Sequence, residues 1–281
     1  MSTGSTDEST ALQTVRWAHW VYGEKGVDRN DPAEAFHEAS KGHSGWVDDS
    51  VRGARLLERS PEMRASALRA VKRNPYVPTI PLPRPELPPA IALCTAIERR
   101  RSGREFDAAE LALGELGSLL WAAYGAAEPG DDGRARLRTV PSGGALYPLE
   151  LYVVPAAVAG LEAALHHFDP YRHALERHRP LDPRADLEGL CPYPDLLTKA
   201  AAVCFVTAMF WRTRFKYGLR GYRFALIEAG HVAQNFVLAA TALDLVAVPV
   251  GGLFDRKVDT FLGIDGVNES VLLALSVGRR P

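Results

Sequence analysis

Between Pro75 and Pro89 the chain carries seven prolines, in the stretch NPYVPTIPLPRPELPPA. Proline has a fixed φ and no N–H to donate, so this stretch can be neither a helix nor a central strand. It reads as an extended connector or a strap over a surface. The same composition also suits a ligand for a proline-reading partner. Either way it divides the chain. Residues 1–9 are polar and acidic and read as a disordered tail, neither a signal peptide nor an anchor. Residues 10–74 have helical patterning with two dense spots, RWAHWVYG and AFHEASKGHSGW. Residues 75–89 are the strap, and residues 90–281 are the main domain.

In the main domain, IALCTAIERR and LALGELGSLLWAAYGA read as helices, the second stopped by Gly125. LELYVVP reads as a strand, and LHHFDPYRHALERH as a strand, a turn at Asp169-Pro170 and more strand or turn. DLLTKAAAVCFVTAMF runs from a helix end into a strand. GYRFALIEAGHVAQNFVLAATALDL is a helix, and VAVPVGG and SVLLALSVG are strands. Helices and strands mix without a regular βαβ repeat, which predicts an α+β fold with helices packed on one sheet.

The long helix has an apolar face made by Ala225, Ala229, Val232, Phe236, Ala240 and Leu243, with Leu226, Ile227, Val237 and Leu238 filling much of the rest. A helix apolar nearly all round is buried on several sides. A subunit interface can supply one of them. Glu228, His231 and Asn235 share one narrow stripe, which is either a set of mutually satisfied buried groups or a face toward a cofactor or dimer axis.

The bulk properties exclude several classes. The net charge is -1, with no basic block, so nucleic acid is not a predicted partner. No apolar run is long enough to cross a bilayer. Cys94, Cys191 and Cys204 form no CxxC pair and read as reduced, buried thiols of a cytoplasmic protein.

Three stretches can carry chemistry. ERRRSGREF crowds Arg99, Arg100, Arg101 and Arg104 at a helix end, where forked donors suit a phosphate. A solvated basic end that complements the helix dipole is the alternative. PSGGALYP and VPVGG each place two adjacent glycines beside a strand. Such backbone serves a tight turn or a ligand lying against it. Together the three suggest a flat, phosphorylated cofactor held largely by main-chain groups. No GxGxxG follows a strand and no GxxxxGK[ST] exists, so a dinucleotide fingerprint or P-loop is not expected. His166, His167, His173 and His178 lack the i, i+4 pairing of a helical metal site, so no metal is expected.

RRSGREF, PSGGALYP, EAGHVAQN and VPVGG together resemble the FMN-dependent nitroreductase superfamily. KYGLRGYRF, the GVNESVLLALSVG ending and the upstream FHEASK make the chain similar to its SagB-type azoline dehydrogenases. These oxidise thiazolines and oxazolines in ribosomally made peptides. The resemblance covers about Phe36 to the end. It implies a nitroreductase-like mixed sheet flanked by helices, with an N-terminal helical extension, in a homodimer with FMN at the interface. By that pattern Arg100, Arg101, Ser102 and Arg104 hold the phosphate and ribityl chain. Pro141, Ser142 and Gly143 reach the flavin from the other subunit, and Pro249, Val250, Gly251 and Gly252 line its ring. Many nitroreductases place a basic phosphate ligand in a tail beyond the last strand, a part for which the resemblance makes Arg279 or Arg280 the candidates here.

The resemblance also implies that Lys216 and Tyr217 are the catalytic pair, acting on a heterocyclised precursor peptide made by a cyclodehydratase partner. A lysine acts as a base near neutrality only where burial or nearby cations lower its pKa from about 10.4. Arg212, Arg214 and Arg220 are the sequence neighbours. An NAD(P)H-dependent nitroreductase or quinone reductase shares the same fold and cofactor. A non-catalytic flavin-binding scaffold in a peptide-modifying complex is the alternative outside catalysis. The aromatics Trp17, Trp20 and Tyr22 read as a surface for a partner or the peptide, or else as part of the fold.

Overall fold

Among the described residues the strands are β1 (Thr79–Pro81), β2 (Leu149–Pro155), β3 (Ala164–Asp169), β4 (Ala174–Pro180), β5 (Ala202–Met209), β6 (Val246–Val250) and β7 (Glu269–Gly278). They form one antiparallel sheet in the order β1-β4-β3-β2-β5-β7-β6. The computed structural model describes residues 31–42, 53, 55, 58–62, 71–72, 74–87, 91–126 and 137–281. The chain forms two compact units, Met1–Trp46 and Val47–Pro281. Trp17, Trp20 and Tyr22 lie outside the described residues.

In the first unit the described helix is α1 (Pro32–Ala39), which carries the start of the FHEASK motif. Asp31 caps it by accepting from the Ala33 N–H at 2.8 Å, and Pro32 opens it without a wasted donor.

The second unit holds the sheet. The proline stretch supplies β1 at the sheet edge, where Ile80 stands opposite Leu175. An edge strand is the one place in a sheet where prolines such as Pro78, Pro81 and Pro83 are tolerated. Their carbonyls still work: Arg177 N–H donates to Pro78 O at 2.8 Å.

β2 and β5 lie in the middle. Leu149, Leu151 and Val153 face one core with Cys204 and Val206, while Tyr152 and Val154 face a second core with Val203 and Phe205. Both faces of the sheet are covered, so β2 is buried throughout and β5 at every residue but Met209. The first core is closed by α3 (Leu113–Tyr124) and the long α7 (Leu219–Ala242), which also packs on β6. The second contains Leu187, Leu197, Val258 and Leu262, from the short helices α4 (Pro183–Leu187) and α5 (Asp195–Thr198) and from α8 (Asp255–Leu262). The fold is α+β, as the patterning predicts.

Two details depart from the expected burial. Within this chain α7 buries Ala225, Ala229, Val232, Phe236 and Ala240, yet Leu226 and Ile227 stay exposed at 43% and 56%. Cys94 is exposed, unlike Cys191 and Cys204, because its helix α2 (Leu93–Arg99) buries only Ala96. Among the described residues, no helix is long and apolar enough to cross a membrane.

Candidate active site

The sequence KYGLRG builds a tight corner between α6 (Trp211–Tyr217) and α7. Gly218 turns it with φ 55° and ψ -136°, a conformation open to glycine and strained for other residues. Gly221 then lets the two backbones touch, since a Cβ there would stand 2.8 Å from the Thr213 carbonyl carbon. The Thr213 hydroxyl bonds the carbonyls of Phe210 and Gly221, at 3.1 and 3.0 Å. This corner fixes the end of α6, where Lys216 and Tyr217 stand half-buried. The Tyr217 ring meets Phe224 edge-on at 5.0 Å, and the Lys216 Nζ lies 5.2 Å from the Tyr217 ring centre.

The PSGGALYP loop runs directly against that helix end. Gly144 adopts φ 66°, and Ala145 and Tyr147 follow with positive φ of 54° and 44°. Backbone held this way outside glycine is strained, and such strain gathers at functional sites. A Cβ on Gly144 would stand 2.5 Å from the Tyr217 Oη and 3.1 Å from the Lys216 Nζ. A Cβ on Gly143 would stand 3.0 Å from the Phe224 ring. The Ser142 Oγ accepts from the Tyr147 N–H at 2.9 Å and closes the loop. The structure therefore brings Gly144, next in the chain to Ser142 and Gly143, against Lys216 and Tyr217 inside one chain.

Beneath the loop lies Glu228, buried on α7 and accepting a hydrogen bond from the Tyr124 hydroxyl at 2.6 Å. Burial raises its pKa to about 7, and the Ser142 and Tyr124 hydroxyls beside it lower it only in part. The buried Arg138 guanidinium stacks 4.0 Å from the Tyr124 ring centre and 5.0 Å from that of Tyr147. The polar stripe read from the sequence splits up. Glu228 serves the loop, Asn235 donates to the carbonyls of Ala122 and Thr139, and His231 is exposed.

The arginine loop lies elsewhere, along β6. Ser102 bridges to Ala247 in parallel, and Gly103 has no room for a side chain, since a Cβ would meet Val246 at 2.3 Å. Arg99, Arg101, Arg280 and Asp244 line a cavity of about 520 Å³. Arg101 also donates to the carbonyls of Glu98 and Arg100, and Arg100 reaches the Ser102 hydroxyl at 3.5 Å. Arg104 is exposed and does not line this cavity. Arg279 is engaged differently: its guanidinium forks onto Glu115 at 2.8 and 2.7 Å. Arg280 sits 3.5 Å from Asp244. At the end of β6, Pro249, Gly251 and Gly252 are exposed and Val250 is buried. A Cβ on Gly251 or Gly252 would meet nothing within 4 Å, so nothing in this chain's own packing requires a glycine at either place.

One charged cluster was not legible as a site. Glu176, His167 and Glu150 are buried on the adjacent strands β4, β3 and β2, and Glu269 is buried on β7, beyond β5. Both ring nitrogens of His167 face carboxylates, Nε2 to Glu150 at 2.8 Å and Nδ1 to Glu176 at 3.3 Å. Burial opposes the imidazolium, but those two bonds overcome it and raise the pKa. Burial alone would raise Glu150, yet Arg212 and then His167 hold it well below the usual carboxylate range. His167, Glu176 and His178 bring ligand atoms within 4.8 Å of one another.

Residues 97–279 match the model of the nitroreductase family, and the chain belongs to that family. It is 37% identical over 190 residues to a nitroreductase-type protein of Methanocaldococcus jannaschii, covering 68% of this chain and 92% of that one. It is 31% identical over 176 residues to the microcin B17-processing protein McbC of Escherichia coli, covering 60% of this chain and 62% of McbC. The chain thus spans less than two thirds of that relative's length. A chain of the solved E. coli microcin synthetase McbBCD complex, with truncated pro-MccB17 bound, shares the fold at a TM-score of 0.56 and 23% identity, across 90% of this chain and all of that one.

The nitroreductase family is FMN-dependent. The residues present fit that cofactor. The cavity ringed by Arg99, Arg101 and Arg280 suits a phosphate. Gly251 and Gly252 leave open the space that side chains would fill.

Proposed function

We propose that this chain is an FMN-dependent azoline dehydrogenase, acting on a heterocyclised precursor peptide that a cyclodehydratase partner supplies. The observation that carries the reading is the meeting of Gly144 with Lys216 and Tyr217, which sets an amine and a hydroxyl beside a glycine-rich loop. Kinship with a microcin B17-processing protein supports it.

An azoline becomes an azole by losing a hydride from one ring carbon and a proton from its neighbour. FMN, when bound, supplies the two-electron acceptor for that hydride. The Lys216 amine takes the proton, and the Tyr217 hydroxyl orients the ring by a hydrogen bond. Arg101 and Arg280 hold the phosphate, together with the Arg100, Ser102 and Arg104 stretch. Arg279 acts instead through Glu115, which also accepts from the Ala112 N–H at the start of α3. Pro249, Val250, Gly251 and Gly252 would offer main chain to the flavin ring, and Pro141, Ser142 and Gly143 of the other subunit would help to hold it. The reading includes a homodimer, because Leu226 and Ile227 of α7 remain exposed on this chain.

The 37% identity to the Methanocaldococcus jannaschii protein favours a second reading, reduction of a nitro compound or quinone by NAD(P)H. One experiment separates the two. The FMN-loaded protein is incubated with a peptide already cyclised to azolines, and the product is weighed by mass spectrometry. Loss of two hydrogens per ring supports the dehydrogenase. An unchanged peptide with steady NAD(P)H oxidation on a quinone supports the second reading. An unchanged peptide and no NAD(P)H oxidation leaves the chain a scaffold.

A further inference from the structure

Helix α6 is held from outside the matched nitroreductase region by two described residues, one touching it directly and one acting through Glu150. The first is Gly53. It is buried, and a Cβ there would stand 2.6 Å from the Lys216 Cα and 2.7 Å from the Phe215 carbonyl oxygen. Two backbones touch at that point, and only glycine allows the approach. The second is Lys72. Its N–H donates to the Glu150 Oε1 at 2.8 Å. Its Nζ donates to the Tyr152 hydroxyl and to the Glu269 Oε2, both at 2.7 Å.

Glu150 is where these contacts meet. The same Oε1 that takes the Lys72 N–H also takes Arg212 of α6 at 2.5 Å. Arg212 reaches on to the Tyr147 carbonyl at 3.3 Å, in the loop that carries Gly144. The other Glu150 oxygen is held by His167. A buried carboxylate is stable only when its lone pairs are met by such donors. The cluster balances Lys72, Arg212 and the His167 imidazolium against Glu150, Glu176 and Glu269. It is a fixed joint among an upstream residue, the helix bearing Lys216 and the PSGGALYP loop.

We propose that Gly53, Lys72 and Glu150 are positioning residues that set Lys216 and Tyr217 against the loop. They touch neither the reacting ring nor the cofactor in this account. The role rests on the assignment of Lys216 as the base, but the joint itself can be tested apart from it.

The test uses the full chain loaded with FMN. Lys72→Met removes the Nζ contacts and keeps the backbone bond; Gly53→Ala forces the backbones apart; Lys72→Arg retains the charge. Lys199→Met, in an exposed pair with Asp195 far along the chain, is the control. Amide hydrogen exchange is read on the peptide spanning 211–218, and kcat and KM are read with an azoline peptide. Both Lys72→Met and Gly53→Ala should speed exchange in that peptide by about tenfold. They should lower kcat by up to about a hundredfold, as a misplacement on the order of 1 Å does, with KM and flavin content kept. Lys72→Arg should restore kcat at least in part. Wild-type exchange across 211–218 in both variants overturns the proposal, and so does a loss confined to KM. If Gly53→Ala does not fold, Lys72→Met decides alone. Unaltered exchange condemns the joint whatever Lys216 does; a fully active Lys216→Ala protein condemns the catalytic assignment and leaves the exchange result standing.

Discussion

Gly144 and Tyr217 stand so close that a methyl group on the glycine would lie 2.5 Å from the tyrosine hydroxyl. Gly144→Ala therefore meets two obstacles, the left-handed backbone at φ 66° and the Tyr217 side chain. Gly160 has the same kind of backbone, φ 74°, with nothing within 4 Å. Each Ala variant should lose about 1 kcal/mol of stability to backbone strain. Only Gly144→Ala should also lose peptide oxidation. Thermal unfolding and product mass, measured side by side, check the pair.

Glu228 gives a pH signature. Burial raises its pKa to about 7, from the 4.5 of an ordinary glutamate. The neutral form is the one the fold favours, so this contribution is complete below pH 4.5 and is lost as pH rises through 7. At about 1.4 kcal/mol per unit the loss is on the order of 3 kcal/mol. Glu228→Gln keeps an acceptor for the Tyr124 hydroxyl and cannot ionise. The variant should gain stability over wild type as pH climbs from 4.5 to 8, read as the difference between their denaturant midpoints.

His167 titrates on the other side of neutrality. Burial opposes its charge, but the Glu150 and Glu176 bonds raise its pKa to about 9. Its stabilisation is complete below pH 6.5 and fades as pH rises through 9. His167→Gln leaves buried carboxylates short of a cation, which costs about 3–5 kcal/mol. That cost should be largest at pH 6 and clearly smaller at pH 9.5, by urea unfolding at each.

The two C-terminal arginines should behave differently. Arg280 lines the cationic cavity with Arg99 and Arg101, whereas Arg279 is forked onto Glu115. Arg101→Ala and Arg280→Ala should weaken FMN binding about tenfold each, the loss of one charge-assisted contact. Arg279→Ala should lower the melting temperature and keep the FMN affinity. Fluorescence titration with FMN checks both statements.

What the sequence makes legible is what local pattern carries. Helices α3 and α7 and strands β2 and β5 follow from periodicity, and the turn at Asp169 follows from an aspartate whose Oδ1 takes the Tyr171 and Arg172 N–H groups. KYG and PSGG stand out as stretches, yet their meeting depends on a corner made by Gly218 and Gly221, which no spacing rule specifies. The charged cluster is hidden for a different reason. Glu150 alternates with Leu149 and Leu151, the pattern of a solvent-facing residue, but the far face of this sheet is covered too. Its partners are scattered: Lys72 and Glu269 are 197 residues apart. Leu226 and Ile227 show the reverse limit, since an apolar helix face does not say which neighbour, in this chain or another, covers it.

In the proposed reaction Lys216 removes the proton from the ring carbon next to the one that gives up the hydride, and it is not among the groups that hold the cofactor. The direct measurement is rapid mixing of FMN-loaded protein with an azoline peptide, following the bleaching of the flavin band. Lys216→Ala should keep its yellow colour and its melting temperature and bleach about 10²–10⁴ times more slowly than wild type. A Lys216→Ala protein that holds FMN and bleaches at the wild-type rate contradicts the account.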